Sequence, residues 1–146
     1  METIEKQSEV LNDLIRINHD RIEGYEKAAK EAEKHPDLVS LFLGYANDSK
    51  GYATALKAHC MDGDVDTTAS GKIYRVWMDM KTAINDSRKS VLDLCEFGED
   101  AALKAYNDAV DEIDELSPEV GMLVRNQRSE IQSAHDRIKI LRDTAA

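Results

Sequence analysis

Residues 61–86 read MDGDVDTTASGKIYRVWMDMKTAIND, and how they join the long helical patterns on either side decides the fold. The first part, MDGDVDTTASG at 61–71, is a loop of turn formers. Ser70 is then placed to cap a short helix carrying Ile73, Val76, Trp77, Met80 and Ile84. Neighbouring helices threaded up-down-up-down need a connection of only about 2–8 residues, whereas about 25 intervene here. A connection of that length is expected to carry the chain from one end of a bundle to the other. The helices on either side of it would then run parallel, with Trp77 as a core residue fastening the crossover.

Outward from this stretch the patterns are helical. Before it, Leu11, Leu14, Ile15, Ile22, Tyr25, Ala28, Ala29 and Ala32 recur at steps of three and four, which marks one buried face. HPD at 35–37 breaks that helix, because proline cannot continue a helix but fits a first turn. A second helix from about Asp37 carries Leu38, Leu41, Phe42, Tyr45, Tyr52, Ala53 and Leu56. After the crossover, Asp86 or Ser87 is placed to cap a third helix with Leu92, Cys95, Ala102, Leu103, Tyr106, Val110 and Ile113 on its apolar face. SPE at 117–119 starts a fourth, with serine as cap, proline in the first turn and glutamate near the positive helix end. Its apolar positions run from Val120 through Val124, Ile131 and Ala134 to Ile138 and Leu141. No stretch alternates with period two. The expected fold is all-α, a single-domain bundle of four long helices and one short one spanning residues 1–146.

A chain of 146 residues is long enough to bury a core. With 42% hydrophobic and 33% charged residues it is too apolar for disorder and too charged for a membrane bundle. The start, METIEKQSEV, lacks the basic and apolar regions of a signal peptide, so a soluble cytoplasmic protein is expected. A formal charge of −10 repels nucleic acid and anionic membrane, which excludes both as partners. Cys60 and Cys95 have no zinc-ligand spacing and are expected as free thiols, far apart if the flanking helices are parallel.

Each apolar stripe is interrupted near its middle. Asn18 interrupts the first, Ser49 the second, Glu96 and Glu99 the third, and Gln127 and Glu130 the fourth. A lapse at similar depth on every helix predicts a polar layer, with Tyr25, Tyr45, Tyr52 and Tyr106 within one or two turns to supply hydroxyls. Buried carboxylates need partners, either a metal or hydrogen-bonding groups and water. A single long crossover is the threading of ferritin-like folds, whose dinuclear iron site takes a glutamate from each of two helices and a Glu-x-x-His pair from each of the others. Here those positions hold Asn18, the pair Ala46 and Ser49, Glu96 with Glu99 one turn on, and the pair Gln127 and Glu130. Two of the six expected ligands remain and neither histidine does. His19 and His135 are the nearest imidazoles, both at the edge of a stripe.

The chain resembles a bacterial family of ferritin-like four-helix-bundle proteins of unassigned function. The resemblance is carried by NDLIRINHDRIEGYEKAA at 12–29, RVWMDMK at 75–81, CEFGEDAALKAY at 95–106 and NQRSEIQSAHDRIKILRD at 126–143. It covers essentially the whole chain, and WMDMK and CEFGED followed by AALKAY are its specific parts. The crossover bundle is what this resemblance implies; it implies no substrate.

Two functions follow as expectations. The first is a non-catalytic bundle with a stress-related, scaffolding or interaction role, without cofactor, its polar layer structural. No nucleophile–base constellation and no phosphate-binding glycine loop is present to support catalysis. The alternative is a divergent metal-binding protein, in metal handling or oxidation, holding iron or another divalent metal on Glu96, Glu99 and Glu130 with His19 or His135. A small ligand between helices is a third reading, and a homodimer through one helix face is the oligomer such bundles commonly form.

Overall fold

The computed structural model describes residues 2–60, 87–112, 114 and 116–145. Four helices account for nearly all of them: α1 (Glu2–Glu31), α2 (Pro36–Lys57), α3 (Arg88–Asp111) and α4 (Pro118–Asp143). The start signals act as their chemistry predicts. Of the two candidate caps for α3, Ser87 is the one that accepts from the backbone N–H of Ser90, at 3.2 Å. Ser117 does the same for Val120 at 3.3 Å, with Pro118 in the first turn of α4. The α2 helix has no side-chain cap and begins directly at Pro36.

The helices pack as two pairs, α1 with α2 and α3 with α4, and α1 packs against α3 to join them. The direction of each helix follows from contacts at the ends. Both terminal guanidinium nitrogens of Arg88 donate to the Asp37 carboxylate, at 3.0 and 2.7 Å, so α2 and α3 begin at one end. At the opposite end Lys6 pairs with Glu112 at 3.1 Å, and the N–H of Ser117 donates to Gln7 at 2.7 Å. The α2 and α3 helices are therefore parallel, as the length of the intervening stretch predicts. Residues 61–86 themselves, with the Ser70 cap, the short helix and Trp77, lie outside the described residues.

The core is made by the predicted stripes. Leu11, Leu14, Ile15, Phe42, Leu56 and Leu92 are among its largest fully buried side chains. Tyr25 packs its ring against Phe42 and Tyr45, with centroids 5.7 and 5.3 Å apart. Cys95 is buried and Cys60 half-buried, and neither is in a disulfide. With α2 and α3 starting together, the rise of the helices sets the two thiols roughly 20 Å apart along the bundle. Gly44 and Gly51 are exposed, and a methyl group added at either meets nothing within 4 Å, so close helix approach is not what these two glycines serve. Among the described residues no helix is long and apolar enough to cross a membrane.

Candidate functional site

The polar layer is present and centres on a residue that the stripe reading passes over. Arg21 is 1% exposed and reaches across the bundle. Its Nε and Nη2 donate to the two oxygens of Glu99, at 2.6 and 2.8 Å, in the parallel two-bond geometry that suits guanidinium and carboxylate. Its Nη1 donates to the Ser49 hydroxyl at 2.6 Å and the Tyr45 carbonyl at 3.3 Å. The guanidinium also lies 5.1, 5.7 and 6.0 Å from the ring centres of Tyr25, Tyr45 and Tyr52, within cation–π range.

One turn towards the other end runs a neutral chain. Asn18 donates to the Tyr106 hydroxyl at 2.8 Å, and that hydroxyl donates to the Gln127 Oε1 at 2.7 Å. Gln127 in turn donates to the Tyr52 carbonyl at 3.2 Å. Asn18 also donates to the Leu14 carbonyl at 2.8 Å, four residues back in its own helix. Four helices are thus tied by polar groups inside the bundle, where low local dielectric strengthens each hydrogen bond made.

Burial sets the titration of this region. It would lower the Arg21 pKa by itself, but the Glu99 charge and hydrogen bonds outweigh it and hold the guanidinium protonated. Burial, then the negative Glu99, raises the Tyr25 hydroxyl and the Cys95 thiol well above their ordinary values. Tyr106 is raised by burial as well, and burial followed by the nearby Glu130 charge pushes Tyr52 up to about 12. These groups stay neutral through the physiological range.

The three carboxylates proposed as metal ligands are dispersed. Glu99 is buried and taken up by Arg21. Glu130 is exposed, so it does not join the interior layer. Glu96, expected to point inward beside Glu99, instead sits at the rim between α3 and α4, against the Arg142 guanidinium. The reason is angular. A helix turns about 100° per residue, which puts Glu99 only about 40° from the buried Cys95 but Glu96 a full 100° away. The described residues do not gather Glu96, Glu99 and Glu130 around one point. His19 lies at the edge of the α1 stripe and is half-buried; burial, then the neighbouring Lys57, lowers its pKa. His135 faces α3 beside Glu96 and Asp100.

The donor set of the interior also fails to fit the dinuclear iron that a ferritin-like fold implies. Both Glu99 oxygens accept from a fixed cation, and a bound metal ion would have to displace it. Amide and hydroxyl groups of Asn18, Ser49 and Gln127 stand where such a site takes carboxylates and histidines. Arg21 had a signal in the sequence. It falls three residues after Asn18 and four before Tyr25, on the line that continues to Ala28 and Ala32. An arginine on that line has to be paired or expelled.

Away from the layer, a surface groove of about 440 Å³ lies between α1 and α3. Val10, Leu14, Ala101 and Ala105 line it, with Arg16 and Asp108 among its charged groups.

A family described as a domain of unknown function, DUF2383, matches residues 6–112, which run from α1 to the end of α3. The match covers well over half of the chain, and the protein belongs to that family. No curated protein matches it.

Proposed function

We propose that this protein, as a member of a family defined without an assigned activity, is a non-catalytic ferritin-like bundle with a scaffolding or interaction role. The observation that carries the reading is the Arg21–Glu99 pair: a side-chain cation fills the centre of the bundle and takes both oxygens of the one glutamate that is buried among the described residues. A fixed guanidinium there does what a metal would do for the fold, which is to neutralise a carboxylate and tie helices together, but it offers no open coordination position and no redox couple. The neutral chain from Asn18 through Tyr106 to Gln127 likewise commits the Asn18 amide donor and the Tyr106 hydroxyl to partners inside the bundle, while the buried Asn18 Oδ1 is left without one. Tyrosine and cysteine groups held neutral by burial are poor nucleophiles and poor bases. The alternative, metal handling on Glu96, Glu99 and Glu130, requires Glu99 to leave Arg21 and Glu130 to turn in from solvent.

Anaerobic loading of the tag-free protein with ferrous iron tests this, followed by elemental analysis of the wild type and of Glu99→Gln. The expected result is the same iron content in both, with no oxidation of ferrous iron faster than in buffer. Iron retained by the wild type and lost in Glu99→Gln would overturn the proposal.

A further inference from the structure

A second group of ligand-bearing side chains lies at the α3–α4 rim. Glu96 and Asp100 are one turn apart on α3, and His135 faces them from α4. The His135 Nε2 is 2.7 Å from the Asp100 Oδ1 and 3.8 Å from the Glu96 Oε1, and the three ligand atoms lie within 4.8 Å of one another. We propose that Glu96, Asp100 and His135 bind a single divalent transition-metal ion of the zinc class, outside the filled interior.

Features beyond the three residues support this. The other ring nitrogen of His135, Nδ1, lies 3.1 Å from the Asp136 carboxylate, which also accepts from Gln132 at 2.9 Å. A carboxylate behind the ring fixes its orientation and makes Nε2 a better ligand. Glu96 is held by Arg142 through Oε2 alone, so that Oε1 is the oxygen facing His135. Arg142 is itself steadied by Asp93 and Asp143, at 3.5 and 2.8 Å. Two carboxylates one helical turn apart repel unless a cation lies between them. Five carboxylates, those of Asp93, Glu96, Asp100, Asp136 and Asp143, surround this place, with Arg142 as the cation that contacts three of them and Lys139 beside Asp136.

The donor set selects the ion. One imidazole and two carboxylates suit zinc, cobalt or nickel, whereas calcium and magnesium take oxygen alone. Tetrahedral zinc with ligands at about 2.0–2.2 Å keeps neighbouring ligand atoms about 3.3 Å apart. The 2.7 Å between Nε2 and Asp100 therefore opens by about half an ångström, and the 3.8 Å to Glu96 closes by a similar amount. Asp100 is exposed and free to make that adjustment. Three protein ligands leave the fourth position to water.

Titration calorimetry of the tag-free full chain with zinc, repeated with magnesium, is the test. One equivalent of zinc and no magnesium should bind. Asp100→Asn, at an exposed position, and His135→Gln should each weaken zinc roughly 100-fold or more, and Asp136→Asn by about 10- to 100-fold with the fold intact by circular dichroism. Glu99→Gln should leave binding unchanged. Zinc that binds equally well to Asp100→Asn or His135→Gln overturns the proposal, as does a wild type that binds none.

Discussion

Replacing Arg21 by methionine removes the guanidinium while keeping most of its length and volume. The Glu99 carboxylate would stay fully buried without either guanidinium donor, with the neutral Tyr25 hydroxyl beside it, and the Ser49 hydroxyl and Tyr45 carbonyl would each lose one. Breaking one side of a buried ion pair costs about 3–5 kcal/mol, because the remaining charge is left without compensation. A chain of this size has a stability of roughly 7–20 kcal/mol, so the variant should still fold. At about 2–4 °C per kcal/mol its melting temperature should drop by roughly 6–20 °C. The informative partner is the double variant Arg21→Met with Glu99→Met. Replacing both halves of a buried pair with apolar groups of similar size is often neutral or stabilising by about 1–4 kcal/mol. The double variant should therefore be more stable than Arg21→Met alone. Urea denaturation followed by far-UV circular dichroism, run on both single variants and the double, gives the coupling energy directly. A loss below about 1 kcal/mol for Arg21→Met, or a double variant no better than that single one, would refute the assignment of this pair as the centre of the bundle.

Three further outcomes are expected. Tyr106→Phe removes the hydroxyl shared by Asn18 and Gln127 and should cost about 1–3 kcal/mol in the same denaturation assay, since both amides stay buried. Gly44→Ala and Gly51→Ala should each raise stability by about 0.5–1 kcal/mol, read as higher melting temperatures, because helix propensity improves and the added methyl meets nothing. His19 has a pKa below its ordinary 6.5 in the fold, so the unfolded chain binds its proton first. Its contribution is complete above pH 6.5 and is lost as pH falls from there through the lowered folded value; His19→Gln should flatten that part of a stability–pH curve.

The buried pair also explains why a bundle would keep polar groups at its centre. A buried ion pair adds little net stability compared with apolar packing, but it penalises every arrangement that separates its partners. Arg21 on α1 matches Glu99 on α3 and Ser49 on α2 at only one vertical register and one rotation of each helix. The chain from Asn18 through Tyr106 to Gln127 adds α4 to the same constraint. An apolar seam of leucine and alanine would tolerate slips that this layer forbids.

Much of this was legible in the sequence. Steps of three and four give the four helices, and serine before proline gives the start of α4, because both signals are local. The polar layer was legible at Asn18, Ser49, Glu99 and Gln127, all of them buried, since each falls on the line of its own apolar neighbours. Glu96 and Glu130 are expected with them and stand apart for a rotational reason: each is one step off that line, which puts Glu96 at the rim against Arg142 and Glu130 in solvent. Arg21 escaped because charge alone argues for solvent, and only a partner on another helix overrides that argument. The same holds for the grouping of His135 with Asp100, which are 35 residues apart in the chain and 2.7 Å apart in space.

By itself the sequence determined the four long helices, the cap of α4 and the parallel course of α2 and α3, because periodicity, capping chemistry and the length of a connection are properties of the chain taken one stretch at a time. Which charge meets which was decided only by the tertiary structure. Pairing depends on the rotation and height of one helix against another, and those quantities are fixed by packing across the core.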